Sequence, residues 1–253
     1  MSTVTVKNVT IGEGAPKICV PIVGKTIAAL QEEATFLKNI ELDIVEWRVD
    51  FFEGVEDIAA VKEALQALRE VLPDTPLLFT FRSKKEGGEK AVSDEYYFEL
   101  NRELAQTGQI DLVDVELFNE ASDVKSLIEA AHVAGVKVII SNHDFDKTPA
   151  KEEIISRLRK MQELGADIPK IAVMPQSSAD VLVLLDATNT MKEQYADRPI
   201  ITMSMAGVGV ISRLAGQVFG SAVTFGAAKK ASAPGQIDVA ELKHVLNLLD
   251  SQF

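Results

Sequence analysis

The chain of 253 residues carries 38 acidic and 26 basic residues, which gives a net charge of −12 at pH 7. This acidic balance argues against nucleic acids and anionic membrane surfaces as partners. The single cysteine, Cys19, excludes an intramolecular disulfide framework.

Length and apolar content predict one folded unit over residues 1–253. An apolar fraction of 47% is enough for one core, and no linker separates two halves. Residues 1–14 lack the basic start and apolar stretch of a signal peptide, and no run of about 18 apolar residues occurs. Together with the lone cysteine, this predicts a soluble protein of the reducing cytoplasm, with no membrane partner.

The predicted elements begin with a short β-hairpin and continue as repeated strand–helix units. Alternating apolar residues at 4–11 predict a hairpin within residues 1–14 that closes one end of the fold. Each of the short apolar runs that follow is predicted to be a strand. These runs lie at residues 18–22, 44–48, 77–81, 112–116, 137–142, 168–174, 200–205 and 222–225. Eight such units favour an eightfold β/α barrel, and an open doubly wound sheet is the alternative if the count is too high.

Capping signals mark where several helices begin. Thr26 and Asp238 are predicted N-caps of the first and last helices. Thr148 is the predicted N-cap of the fifth helix, with Pro149 in its first turn.

Lys170 is the most unusual residue of the predicted strands. It lies in an apolar run with a proline at each end, and period-two alternation places it on one face with Ile168 and Ala172. Burial disfavours an ammonium, and a neutral amine is a nucleophile. The alternative is a lysine that extends its amine to water.

His143 follows the strand before that of Lys170. Consecutive strands are neighbours in such a barrel, so both side chains are expected to face the same cavity. An imine on a lysine acidifies the adjacent carbon, and a histidine can remove that proton and return it to a leaving hydroxyl. The pair therefore predicts an elimination, whereas His132 and His244 lie in amphipathic helices.

Arginines at the strand ends can bind an anion. Glu46 and Arg48 share a face at the end of the second strand, and Arg82 ends the third. Arg213 follows a glycine-containing turn and can bind a carboxylate through its planar guanidinium. A structural ion pair explains Glu46 and Arg48 equally well, and a phosphate loop or a simple tight turn explains the glycines before Arg213.

Residues 226–236 predict a mobile lid. The segment has small side chains and glycines at both ends, which suits a loop that opens and closes. Ser232 and Gln236 are its best hydrogen-bonding groups for a hydroxylated ligand.

As a set, these motifs resemble the type I 3-dehydroquinate dehydratases. The matching segments are residues 46–50, 80–83, 86–88, 141–145, 169–175, 212–213 and 231–236. The resemblance implies an eightfold β/α barrel, usually a homodimer, that dehydrates 3-dehydroquinate to 3-dehydroshikimate in the third step of the shikimate pathway. It also implies that no metal or organic cofactor takes part.

The same resemblance implies a role for each site residue. Lys170 forms the imine, His143 is general base and then general acid, and Glu86 orients His143. The residues implied to bind substrate are Glu46, Arg48, Arg82, Arg213, Ser232 and Gln236.

Two other functions remain open at this point. A lysine-dependent aldolase shares the barrel and the imine but does not need a histidine with a glutamate partner. A binding barrel without chemistry would use Lys170 and His143 as a structural polar pair.

Overall fold

The structure is a computed structural model and describes residues 2–228 and 232–252. Its strands are β1 (Val4–Val6), β2 (Val9–Ile11), β3 (Lys17–Ile22), β4 (Ile44–Arg48), β5 (Leu77–Thr80), β6 (Leu112–Glu116), β7 (Lys137–Asp144), β8 (Ile168–Val173), β9 (Ile201–Ser204) and β10 (Val223–Phe225). Its helices are α1 (Ile27–Leu37), α2 (Ile58–Val71), α3 (Asp94–Ala105), α4 (Ala121–Val133), α5 (Lys151–Leu164), α6 (Ser178–Thr190), α7 (Val210–Leu214), α8 (Gly216–Phe219) and α9 (Val239–Asp250).

Strands β3 to β10 form one parallel sheet that closes on itself. The sheet order is β10-β3-β4-β5-β6-β7-β8-β9, so each strand lies beside its neighbour in sequence. The ring is completed between Ile200 and Ser221, which form a parallel bridge, and the Ala222 N–H donates to the Ile200 carbonyl over 2.8 Å. The predicted eightfold β/α barrel is confirmed, and the open sheet is not.

The predicted hairpin covers the amino-terminal end of the barrel. Strands β1 and β2 pair antiparallel, with Val4 opposite Ile11. Their apolar side chains pack against a buried floor formed by Ile44, Leu78, Leu112, Ile139, Ile168, Ile201 and Val223. Apolar side chains therefore fill the barrel interior at this end.

The helices cover the outside of the barrel and bury a second apolar layer. Outward-facing strand residues such as Trp47 and Phe79 meet helix residues such as Leu65 and Leu68 there. Edge-to-face contact between Trp47 and Phe79, with ring centroids 5.6 Å apart, adds to the burial of their surfaces. This layer fixes which side chains of each strand point inward.

Two predicted caps are confirmed and one is wrong. Thr26 accepts a hydrogen bond from the Ala29 N–H, and Asp238 accepts one from the Ala240 N–H. Helix α5 instead begins at Lys151 after Ala150. The Thr148 hydroxyl lies before that start and donates to the Met174 carbonyl over 3.1 Å, so it joins the loop to the segment after β8.

Within the described residues, no helix is both long enough and apolar enough to cross a membrane.

Candidate active site

A cavity lies at the carboxyl ends of the barrel strands and contains eight of the nine predicted site residues. It encloses about 500 Å³ of space, part of it open to solvent. The predicted residues that line it are Glu46, Arg48, Arg82, Glu86, His143, Lys170, Ser232 and Gln236. Ala172, Met203, Met205 and Phe225 add an apolar wall beside them. A mostly apolar pocket with a few convergent polar groups is the usual form of a small-molecule site.

Lys170 projects into this cavity from the middle of β8. Its side chain is 4% exposed, and its Nζ lies 3.4 Å from Oδ2 of Asp114 and 4.6 Å from the ring centre of Phe225. The ion-pair partner of Lys170 is the carboxylate of Asp114. An ammonium has no lone pair, so Lys170 must release a proton before its amine can attack a carbonyl.

His143 lines the same cavity and is held by Glu86. The Nδ1 atom of His143 lies 2.9 Å from Oε2 of Glu86, and the His143 backbone N–H donates to the same oxygen over 2.9 Å. Burial and then the positive charges of Arg82, Lys170 and Arg48 hold the pKa of His143 well below its usual value. A neutral imidazole is the form that can accept a proton.

Glu86 sits in an unusual environment for a carboxyl group. Burial raises the pKa of Glu86 to about 7, although the charge of Arg82 favours the carboxylate. When Glu86 is ionised it can only accept, so Nδ1 of His143 must donate and Nε2 keeps its lone pair. This arrangement prepares Nε2 to act as a base.

Arg82 is committed to a network of carboxylates below the cavity. It donates to Asp114 and to Glu116 over 2.8 Å each and to the Ser141 hydroxyl over 3.1 Å. Burial disfavours its charge, but Asp114, Glu116 and Glu86 outweigh that effect and raise the pKa of Arg82. Arg82 lines the cavity as predicted, yet much of its hydrogen-bonding capacity is already used by the protein.

Arg48 and Glu46 are not paired with each other. Arg48 makes a two-pronged ion pair with Asp50, with both nitrogen–oxygen distances at 2.8 Å. Glu46 accepts instead from the Thr80 hydroxyl over 3.0 Å. Thr80 is thus the partner that leaves the Glu46 carboxylate facing the cavity.

Arg213, the ninth predicted residue, lies behind the wall of the cavity. It donates to the sulfur of Met203 over 3.6 Å and to the Pro234 carbonyl over 3.1 Å. Among the described residues its Nε–H has no hydrogen-bond partner. Desolvation lowers the pKa of Arg213 to about 10, so the residue is a buried cation beside the cavity.

The predicted lid borders the mouth of the cavity where it is described. Ser232 and Gln236 hydrogen-bond to each other, since the Gln236 amide donates to the Ser232 hydroxyl over 3.1 Å. Gly235 adopts φ +78°, and a Cβ there would lie 2.4 Å from the Ala206 carbonyl oxygen. Residues 229–231 of the predicted lid lie outside the described residues.

Sequence reasoning did not identify three polar residues of the site. Asp114 and Glu116 alternate with Val113 and Val115 in β6, so period-two alternation could have revealed them. Asn142 points away from the cavity but donates to Oε1 of Glu86 over 3.1 Å. No local pattern predicts this last contact, because Glu86 is far away in sequence.

Known proteins resemble this chain over its full length. The sequence model of the type I 3-dehydroquinase family matches residues 18–252. The 3-dehydroquinate dehydratase of Listeria welshimeri is 74% identical over 253 residues, 100% of each chain. A type I 3-dehydroquinate dehydratase of Clostridium difficile, solved with covalently modified comenic acid, superposes with a TM-score of 0.97 at 63% identity and covers 100% of this chain and 99% of its own. An Enterococcus faecalis 3-dehydroquinate dehydratase superposes with a TM-score of 0.91 at 50% identity, covering 97% and 98%.

The barrel and its cavity define the general class: a β/α-barrel enzyme with a buried lysine and a histidine–glutamate pair at the carboxyl ends of its strands. Within that class, the chain belongs to the type I 3-dehydroquinase family, the 3-dehydroquinate dehydratases of the shikimate pathway.

Proposed function

We propose that this chain dehydrates 3-dehydroquinate to 3-dehydroshikimate through an imine on Lys170. The observation that carries the proposal is the position of Lys170, whose buried amine opens into the same cavity as the Glu86-bound imidazole of His143. The match to named dehydratases over the full length of the chain supports the choice of substrate.

The reaction begins with the amine. The Lys170 ammonium first gives up a proton, and the neutral amine adds to the ketone carbon of the substrate. The released proton returns as water leaves, and a protonated imine forms. The positive imine nitrogen draws electrons from the neighbouring carbon and makes its hydrogen acidic. Asp114 lies 3.4 Å from the amine and stabilises positive charge at that nitrogen.

His143 performs the elimination. Its Nε2 takes the proton from the acidified carbon, and the electron pair forms an enamine that expels the hydroxyl from the next carbon. The imidazolium returns its proton to that hydroxyl, which leaves as water. Water then hydrolyses the conjugated imine and restores Lys170, so the net change is the loss of one water.

Positive groups around the cavity compensate for the net negative charge of the protein. Arg48 and Arg82 line the cavity, and Arg213 lies beside it with an Nε–H that has no partner within residues 2–228 and 232–252. A substrate carboxylate next to Arg213 would satisfy that donor. Glu46 and the Ser232–Gln236 pair offer hydrogen-bonding groups to the substrate hydroxyls.

Dehydration creates a conjugated enone, and its ultraviolet absorption gives a direct assay of the proposal. The purified chain should produce that absorption from 3-dehydroquinate, and Lys170→Met should not. A parent protein that leaves 3-dehydroquinate unchanged, or that cleaves a carbon–carbon bond in a keto substrate as an aldolase does, contradicts the proposal.

We further propose that the enzyme acts as a homodimer in the cytoplasm. The dimer is what the family resemblance implies, and the single cysteine, Cys19, which is buried and unpaired, is compatible with a reducing compartment. Sedimentation equilibrium should give twice the chain mass of 27.5 kDa. A mass of one chain at micromolar concentration contradicts the dimer.

A further inference from the structure

A line of hydrogen-bonded polar residues runs outward from Glu86, away from the cavity. Asn142 follows Ser141 on β7 and faces the helix layer, where it is 3% exposed. Its amide nitrogen donates to Oε1 of Glu86 over 3.1 Å, and its amide oxygen accepts from Arg157 over 2.9 Å. Arg157 belongs to α5 and does not line the cavity.

The direction of each hydrogen bond in this line is fixed by chemistry. A guanidinium has only donors, so Arg157 must face the oxygen of Asn142 and not its nitrogen. The Asn142 nitrogen then faces Glu86 and can only donate. The His143 backbone N–H, which also can only donate, occupies the other oxygen of Glu86.

Glu86 is therefore surrounded by donors, to which it must act as a hydrogen-bond acceptor. A proton on Glu86 would find one acceptor among these partners, Nδ1 of His143, and the tautomer with hydrogen on Nε2 would result. That tautomer has no lone pair on Nε2 for the substrate. The line from Arg157 through Asn142 to Glu86 opposes this outcome.

We propose that Asn142 and Arg157 are positioning residues of the reaction, which hold Glu86 as an acceptor and so keep the Nε2 lone pair of His143 available. The inference rests on the proposed function, since it assigns a use to the His143 base.

Other charges also act on Glu86 and His143, and the test must hold them constant. Arg82 at the end of β5 lies 3.6 Å from Glu86, and Asp114 and Glu116 of β6 oppose its ionisation. Lys170 of β8 and Arg48 of β4 act on His143. None of these residues is changed by substitutions at Asn142 or Arg157.

Arg157 is itself held in place from the outside. It donates to Glu153 over 2.7 Å, lies 3.7 Å from Asp144, and places its guanidinium 5.3 Å from the ring centre of Phe118. These contacts leave the Nη1 group directed at Asn142. A side chain outside the cavity is thus in position to affect the pH range of the enzyme.

The test compares the pH dependence of kcat/KM for 3-dehydroquinate in the parent, Asn142→Leu and Arg157→Met. Each variant removes one hydrogen bond from the line, which is expected to move the acid limb of the profile up by about one pH unit. Arg157→Lys keeps a hydrogen-bond donor and should show the same pH profile as the parent. Arg159→Met is the matched control, because Arg159 lies on the exposed side of α5 over the Tyr195 ring.

The double variant separates a shared line from two independent effects. Arg157 acts through Asn142, so Asn142→Leu combined with Arg157→Met should show the same acid limb as Asn142→Leu alone. The proposal is overturned if the shifts of the two single variants add in the double variant. It is also overturned if the acid limb of either single variant stays in place while its melting temperature is unchanged. If Arg157→Met does not fold, Asn142→Leu and Arg157→Lys still decide it.

A second readout needs no turnover. Nitrogen-15 NMR of histidine-labelled, ligand-free protein shows which ring nitrogen carries the proton, and His143→Ala assigns the signal. We expect hydrogen on Nδ1 of His143 at pH 8 in the parent, and a changeover at higher pH in the two variants. Hydrogen on Nε2 in the parent at pH 8 overturns the inference, whereas a parent that lacks dehydratase activity but shows the expected tautomers contradicts only the proposed function.

Discussion

Asp114 and Lys170 form a buried ion pair that connects the amine of the cavity to the carboxylate network below it. The Lys170 Nζ lies 3.4 Å from Oδ2 of Asp114, and Oδ1 of Asp114 accepts from Arg82 over 2.8 Å and from the Ser141 hydroxyl over 2.6 Å. The positive charges of Arg82 and Lys170 outweigh burial and lower the pKa of Asp114. The carboxylate therefore stays ionised between two cations.

Asp114→Asn should destabilise the protein, because it leaves the buried charges of Arg82 and Lys170 with one carboxylate fewer. Breaking a buried ion pair costs about 3 kcal/mol or more of unfolding free energy. Urea denaturation measures this change. Asp197→Asn is the control, since the Asp197–Arg198 pair is exposed and should contribute less than about 1 kcal/mol. Equal losses in the two variants contradict the structural role of Asp114.

The rate should fall at acidic pH because Glu86 becomes protonated. Its pKa of about 7 means that the carboxylate form is present above that pH and is lost as the pH falls through it. We therefore expect kcat/KM to be constant above about pH 7 and to fall about tenfold per pH unit below it. The neutral imidazole of His143 cannot cause this limb, because its own pKa lies well below the usual value. A profile that stays flat down to pH 5 contradicts the assignment.

His143→Ala should separate imine formation from elimination. The proton is removed only after the imine exists, so this variant is expected to lose turnover by at least about 10²-fold and still form the imine. Borohydride reduction followed by intact mass measurement detects the imine. Near-normal turnover removes His143 from the mechanism, and loss of the imine as well gives it an earlier role.

The segment 226–236 is expected to close over the bound substrate. In the described part, Ser232 and Gln236 line the cavity, and the Pro234 carbonyl accepts from the Ala206 N–H and from Arg213. Gln236→Ala should raise KM more than it lowers kcat, because weaker closure mainly reduces binding. Hydrogen exchange checks the motion: protection of residues 226–236 should increase with a substrate analogue, and equal protection with and without it contradicts a lid.

Much of the fold could be predicted from the sequence because buried strands and helices place apolar residues at regular spacings. Apolar runs such as 168–174 belong to strands covered on both sides, and alternation within them placed Lys170 on the inner face. The same rule applied to residues 112–116 would have revealed Asp114. Asp114 was not among the predicted site residues.

Other features depend on contacts between distant segments and have no local signal. Asn142 meets Glu86 only because the loop after β5 reaches the end of β7. Thr148 has the residue type of a helix cap, but the helix begins only at Lys151, and the Thr148 hydroxyl donates to the Met174 carbonyl instead. Local propensity does not predict either feature, because both depend on tertiary packing.

Covalent attachment of the substrate to Lys170 is tested by one mass measurement. The protein is incubated with 3-dehydroquinate and borohydride, and its intact mass and modified peptide are determined, with Lys170→Ala treated in parallel. We expect one reduced adduct per chain on Lys170 and none on the variant. An adduct that persists in Lys170→Ala, or that forms in the parent on the exposed Lys84 or Lys85, would contradict it.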